Sequence, residues 1–314
     1  MRLALVPAAI ALLAAVLLQP AAGSRGAVAA LDQKIGALVH DASLLYSRGA
    51  NVTSIVQLLD EAAKRINRGD YSGAEAAVAS AASTVEALKA GVRGIHLRMV
   101  VRRYGLAAAA LALAPAAYIL IPRVYLYLWF RARRGWIVST RPAGRSRSSL
   151  IMDEEVFAVI MAVIVVASVF TAAMILRPRS IEPFTALGLL NEECKIGYYP
   201  AEAYPGENLT LCIFVDNHMG EPIYYKVVYK VGNGSTLPSN TTPSPEPPLM
   251  EWRGVLGDGG NTTFRVVVPV EPPRGLMGQR AALIFELWVY DPGKGGWVYT
   301  GRWNHLYLKL VSPG

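Results

Sequence analysis

Residues 156–176, VFAVIMAVIVVASVFTAAMIL, constrain this chain more than any other stretch. They run without a charge, a proline or a glycine, between Asp153-Glu154-Glu155 and Arg177-Pro178-Arg179. An α-helix rises about 1.5 Å per residue, so a run of this length matches the roughly 30 Å of hydrocarbon in a bilayer. A core helix of a soluble protein would show a polar face over that distance, and this run shows none. The expectation is a membrane protein, with each remaining segment assigned to one side of the bilayer.

Composition agrees. The chain is 53% hydrophobic and 17% charged, where a soluble domain carries about 25% charge. Its formal net charge of +8 is carried largely by arginines that flank apolar segments. Topology explains that placement, so no nucleic acid partner is expected.

In chain order, residues 1–24 have the form of a secretory signal peptide, or of a signal anchor: a basic start, an apolar core, then small residues. Residues 27–104 show helical periodicity. Ala30, Leu31, Ile35, Leu38, Ala42 and Leu45 fall near one stripe, and Ile55, Leu58, Leu59, Ala62 and Ile66 near another. After the turn at Arg68-Gly69-Asp70 a third helix begins, which suits an exported helical hairpin or three-helix bundle. Residues 105–130 read as a transmembrane helix and its cytoplasmic extension, with Pro115 inside it and Tyr125, Tyr127 and Trp129 as an interfacial belt. Gly105, Ala108, Ala112 and Ala116 give it a small-residue face for packing on 156–176, where Ala158, Ala162, Ala172 and Ala173 are the expected counterparts. The loop 131–155 holds Arg131, Arg133, Arg134, Arg141, Arg145 and Arg147. Short arginine-rich loops stay in the cytoplasm, and the same patch suits anionic membrane lipid.

Asn-x-Ser/Thr glycosylation triplets supply a second topology signal. They occur at Asn51, Asn208, Asn233, Asn240 and Asn261, all in segments already assigned outside and none in the arginine loop. The expected location is the plasma membrane, multi-pass, with both large domains extracellular.

From residue 181 the period changes to that of strands. Leu209, Leu211, Ile213 and Val215 alternate with Asn208, Thr210, Cys212, Phe214 and Asp216; Ile223, Tyr225, Val227, Tyr229 and Val231 alternate with residues that include Lys226 and Lys230; and Phe264, Val266, Val268 and Val270 form one face. Further strands read at 281–290, 297–300 and 305–311. Short strands between Gly-, Pro- and Asn-rich turns predict an exported immunoglobulin-like antiparallel β-sandwich over 181–314. The proline-rich segment 237–248 reads as an exposed loop. Cys194 and Cys212 lie where disulfides persist. A bridge between them is one reading and two free thiols the other. By strand alternation Cys212 shares its face with Asn208 and Asp216, so a bridge is expected on the solvent side.

Pro183-Phe184-Thr185, Tyr199-Pro200, Gly206-Glu207, Asn217-His218 and Tyr225 in this region resemble the exported domain of DUF 1616, an archaeal membrane-protein family of unknown function. The resemblance covers roughly residues 181–312. It implies location, fold and an archaeal source, and no activity.

Few residues stand in a pattern that would support catalysis or metal binding. His40, His96, His218 and His305 sit in no metal-ligand spacing, and Asp216-Asn217-His218 reads as a turn cap. No phosphate-binding Gly-rich loop or nucleophile elbow occurs. No cofactor is expected. The function anticipated is a non-enzymatic cell-surface protein that binds envelope or other membrane proteins. The alternative is an accessory subunit of a membrane transporter or envelope-modifying enzyme. Tyr198, Tyr199, Tyr204, Tyr224, Trp252, Trp288 and Trp297 are the aromatics available for a binding patch.

Overall fold

The computed structural model describes residues 21–133, 154–177, 182–271 and 280–311. The chain divides into two compact units, one of residues 1–93 with 181–314 and one of residues 94–180. Most of the signal segment and most of the arginine loop, including Arg134, Arg141, Arg145 and Arg147, lie outside the described residues.

In the first unit, α1 (Ala21–Ser47), α2 (Thr53–Asn67) and the start of α3 (Tyr71–Arg133) form the helical layer. Their apolar stripes meet as expected: Leu31, Ile35, Val39, Ala42 and Leu45 of α1 pack with Ile55, Leu59, Ala62 and Ile66 of α2 and with Ala74, Val78, Ala81 and Val85 of α3. Ala30, placed on the stripe from sequence, is exposed. The third helix is unbroken through Gly91, Gly94, Gly105 and Pro115, up to Arg133.

The β-layer holds eight strands: β1 Phe184–Leu190, β2 Glu202–Ala203, β3 Asn208–His218, β4 Ile223–Gly232, β5 Met250–Leu256, β6 Asn261–Pro269, β7 Arg280–Asp291 and β8 Gly296–Leu310. They form two sheets, ordered β1-β3-β6 and β2-β8-β7-β4-β5. Two stacked sheets in this strand order make an immunoglobulin-like sandwich, whose core is the predicted alternating set of β3, β4 and β6 together with Leu283, Phe285 and Leu287 of β7. Three details differ from the expectation. The sheets are not wholly antiparallel, because β2 pairs parallel with β8 after the 191–201 loop carries the chain from one sheet to the other. The segments 297–300 and 305–311 are one strand, β8, carried past a register shift opposite Leu287 and Trp288. Strands β1 and β5 were not separated by the alternation rule, because β1 ends a sheet and β5 carries Met250, Glu251, Trp252 and Arg253 half-buried on both faces.

The helices and the sandwich are one unit rather than two exported modules. Tyr224, Val255 and Tyr290 of the five-stranded sheet belong to the helical core. The reason lies in β4, which is buried on both faces. Its inner side chains fill the sandwich, and its outer ones need a second cover. Helix α2 also closes the sheet edge. Asn67 donates from Nδ2 to the Arg253 carbonyl (2.8 Å) and accepts from the Arg253 amide (2.9 Å), and Asp60 accepts from the Val255 amide (3.0 Å). These are backbone groups on the outer side of edge strand β5, which would otherwise invite another strand.

In the second unit, the rest of α3 and α4 (Glu154–Leu176) are two helices long and apolar enough to cross a membrane, over Val100–Ala132 and Glu155–Leu176. The predicted packing face needs correction. Gly105, Ala108 and Ala112 are exposed and Ala116 is half-buried, whereas Ala107 and Ala110 are buried and Ala114 and Ala117 half-buried. On α4 the covered positions are Phe157, Met161, Ile164, Ser168, Ala172 and Ile175, so of the four alanines expected only Ala172 takes part. Both series advance by alternating steps close to three and four residues, the seam of a left-handed helix pair. The series chosen from sequence also advances by steps of three and four, but it starts two residues earlier and so follows a different face of the same alanine-rich helix. Arg103 donates to the carbonyls of Ile175 (3.0 Å), Leu176 (3.0 Å) and Arg177 (2.9 Å), capping the end of α4. That contact accounts for an arginine at the end of the span where the charge rule does not expect one.

Candidate interaction surfaces

Where the helices meet the outer face of the five-stranded sheet, the polar groups are fully engaged. Asp32 of α1 is 5% exposed. It accepts hydrogen bonds from Tyr224 Oη (2.6 Å), Arg253 Nε (3.1 Å) and Trp297 Nε1 (3.2 Å). Arg253 also reaches Glu251 (2.7 Å), whose other oxygen takes Lys226 (2.8 Å), and Lys226 lies over the Trp297 ring at 5.0 Å. Burial, and then the Asp32 charge, push the Tyr224 hydroxyl well above its ordinary value and keep it a donor. Burial alone would raise the Glu251 carboxyl, but Lys226 and Arg253 outweigh it and hold the group below the usual carboxylate range. Every partner is a neighbour within the fold, so this network fastens one layer to the other.

The proline-rich segment 237–248 is fastened to the same sheet. Lys230 and the fully buried Glu286 form an ion pair at 3.0 Å. Ser244 satisfies both, its carbonyl accepting from Lys230 (2.7 Å) and its amide donating to Glu286 (2.6 Å). Further along, Tyr299 donates to the Ser239 carbonyl (2.9 Å). At Gly301 (φ 73°) the Asn240 backbone lies so close that a Cβ would collide with its carbonyl oxygen. Asn240 is thereby held at the mouth of a cleft of about 510 Å³, lined also by Phe184, Thr185, Leu187, Arg302 and Trp303. Beyond Trp303 the outer face of β8 continues as a ladder of half-buried rings, Trp303 to His305 at 5.3 Å and His305 to Tyr307 at 4.6 Å. Burial lowers the His305 imidazole below its ordinary value.

At the far end of β1 the chain turns through Asn191–Tyr199. Cys194 and Cys212 are disulfide-bonded. Cys212 is completely buried rather than on the solvent side, because the 191–199 loop folds over that face of β3. Asn191 braces the loop, accepting from the Lys195 amide (2.8 Å) and donating to the Gly197 carbonyl (2.9 Å). The tip presents Ile196, 86% exposed, and Tyr198, 100% exposed. Of the aromatics considered for a patch, Tyr198 and Tyr204 are exposed, while Tyr224 is core. Strand alternation gave no signal for this tip, since a loop has no period.

Of the glycosylation triplets, Asn51, Asn208, Asn240 and Asn261 are exposed and Asn233 is half-buried, its Oδ1 taken by the Ser235 amide and hydroxyl. Asn217 caps turns as anticipated: its Nδ2 faces the carbonyls of Glu221, Leu256 and Gly257, tying the β3–β4 turn to the β5–β6 turn. His218 lies 3.1 Å from Asp216 and stacks on Phe184 (4.8 Å), whereas His305 is on the other sheet. Among the described residues no group of three or more His, Cys, Asp or Glu could share a metal ion. Arg131 donates to the Tyr127 hydroxyl (3.3 Å), and Arg133 ends α3.

No protein-family model matches the chain, and no curated protein is similar to it. Among solved structures, a β-glucosidase from Listeria innocua in complex with glucose aligns over 42% of this chain at 9% identity and a TM-score of 0.26. The chain spans only 16% of that enzyme's length. A CARDB domain from Pyrococcus furiosus in complex with di-metal ions aligns over 44% of this chain and 96% of its own, at 11% identity and 0.27. A PapD-like domain of human CEP192 does so over 44% and 94%, at 14% and 0.22. Likenesses this weak carry no argument about activity.

Proposed function

We propose that the chain is a non-enzymatic integral membrane protein of the cell surface, anchored by two spans and carrying one exported unit that binds envelope or surface partners. The observation that carries this reading is how little the two apolar helices cover each other. Only 11% of the most apolar window of each is buried, and Val159, Val163, Val166 and Phe170 of α4 turn outward. Hydrocarbon is the solvent that suits such a surface. Two spans leave residues 27–93 and 182–311 on one side and the arginine loop on the other, which the charge rule puts in the cytoplasm. The exposed triplets at Asn51, Asn208, Asn240 and Asn261 fit an exported, glycosylated unit, and the resemblance to DUF 1616 fits an archaeal one. The braced tip with Ile196 and Tyr198 supports binding, since two large apolar side chains are held in water on a loop that is already ordered.

The second reading, an accessory subunit of a transporter or envelope-modifying enzyme, is favoured by the exposed Gly105, Ala108 and Ala112, a face on which a further helix can pack closely. Mild-detergent purification from native membranes, with crosslinking and mass spectrometry, tests both. Envelope protein crosslinked near residues 192–198 is expected on the first reading. A stoichiometric permease or membrane enzyme crosslinked along α3 would replace it with the second. Recovery of the protein in the soluble fraction after cell lysis would refute both.

A further inference from the structure

Among the five acceptor triplets, Asn240 stands apart because the fold has built a place beside it. We infer that a sugar attached to Asn240 folds back into the adjoining cleft and packs against Trp303 and Phe184. The inference rests on the reading above that this unit is exported and glycosylated.

The turn bearing Asn240 is rigid. The Ser239 amide donates to the Thr242 carbonyl (2.8 Å), the Thr242 amide donates to Ser239 Oγ (3.0 Å), and Tyr299 holds the Ser239 carbonyl from below. Gly301 lets the Asn240 backbone lie directly on β8. An attached group therefore starts at a defined point, at the rim of a cleft large enough for a small ligand. The cleft's chemistry suits a pyranose ring. Trp303 and Phe184 give it aromatic surface, against which the C–H side of such a ring packs. Arg302 is exposed and has no ion-pair partner among the described residues, so its fork of donors is available to hydroxyl or carboxylate oxygens.

The cleft also borders the outer edge of β1. Strand β1 pairs only with β3. On its other side the Leu187 carbonyl is taken by Asn304 Nδ2 (2.6 Å) and the Leu189 carbonyl by Tyr199 Oη (2.7 Å). By the two-residue period of a strand the Thr185 carbonyl points the same way, and Thr185, which lines the cleft, is itself buried. The edge of β1 is thus already shielded by the chain itself, and a sugar in the cleft adds a further cover beside the exposed Phe184.

In forming the linkage, Asn240 Nδ2 bonds to the anomeric carbon of a lipid-linked sugar phosphate. The bond from that carbon to the phosphate oxygen breaks, the lipid phosphate leaves, and the amide proton passes to a base of the membrane glycosyltransferase. No redox change is involved.

The test uses the full-length protein made in its native host, with glycopeptide mass spectrometry and hydrogen exchange in detergent. Thr242→Ala removes the triplet and leaves Asn240 in place, and Trp303→Ala removes the platform and leaves the triplet. Wild-type Asn240 is expected to carry a glycan. The amides of residues 184–187 and 301–303 should exchange roughly 2–10-fold faster in either variant, the range an aromatic stacking contact provides. The double variant should be no faster than the single ones. A bare Asn240 beside occupied Asn51, Asn208 or Asn261 would overturn this inference alone, as would a glycosylated Asn240 whose loss in Thr242→Ala leaves exchange unchanged. Five bare acceptors would overturn it together with the exported, glycosylated reading.

Discussion

Removing the carboxylate of Asp32 should loosen the whole first unit, although no apolar contact is deleted. Asp32 is the acceptor for three donors from three strands, Tyr224 of β4, Arg253 of β5 and Trp297 of β8. In Asp32→Ala, Arg253 keeps Glu251 at 2.7 Å, so its charge is not orphaned. The Tyr224 hydroxyl and the indole N–H of Trp297 lose their acceptor in a site largely closed to water. Each unsatisfied buried donor costs about 1–3 kcal/mol, and losing one of two carboxylates from a buried arginine adds to that. The sum is about 3 kcal/mol, discounted because Arg253 remains paired. For a unit of this size that is a fall of about 6–12 °C in Tm. The assay is thermal unfolding of the full chain in detergent, followed by near-ultraviolet circular dichroism. Tyr224→Phe should cost less, because it removes the donor with the need. Asp32→Ala with Tyr224→Phe should cost less than the sum of the two. A melting point for Asp32→Ala within 2 °C of wild type, or strict additivity in the pair, would refute the claim that this network fastens helices to sandwich.

Cys212→Ser should lower stability by about 3 kcal/mol, the chain-entropy value for a loop of this length, and release Ile196 and Tyr198 to faster proteolysis. Unchanged mass after alkylation without reductant would verify the bridge in wild type. Burial holds the His305 imidazole below its ordinary value. Between that lowered value and about 6.5, the unfolded chain binds a proton that the folded one does not, so stability should rise with pH across that window and be lost as pH falls through it. His305→Gln should flatten this part of a denaturant-midpoint titration, and an unaltered slope would exclude His305 as its source. Gly36→Ala places a Cβ against the Tyr290 ring. Overpacking should cost about 1–3 kcal/mol, and Tyr290→Leu should relieve it in the double variant, a compensation that thermal unfolding would reveal or deny.

The sequence alone determined the features that depend on one segment's relation to its solvent. The run 156–176 is a helix long and apolar enough to cross a membrane, and composition over that window suffices to say so. Alternation in β3, β4 and β6 assigned their inner faces correctly, because a strand's period of two maps sequence directly onto sides. The stripes of α1 and α2 were legible for the same reason, with a period of 3.6.

Tertiary structure decided whatever depends on a second segment. The outer face of β4 carries Lys226 and Lys230 beside Tyr224 and Val228, a mixture from which alternation alone does not tell what covers it. Only the folded chain brings Glu251 and Glu286 to those lysines and lays helices and a proline-rich strap over them. Cys212 was assigned to solvent by the same alternation, which cannot foresee a loop folding back over a sheet. The helix seam runs through Ala107, Ala110, Ala114 and Ala117 rather than Gly105, Ala108 and Ala112, while Ala116 of the expected face is half-buried. In an alanine-rich helix several faces are equally small, and the side chains of the partner helix, together with the Arg103 cap, choose among them. The cleft beside Asn240 joins residues from β1, the strap and β8, far apart in the chain. Local periodicity places each of its residues on a face, but only the packing of the two sheets makes those faces a site.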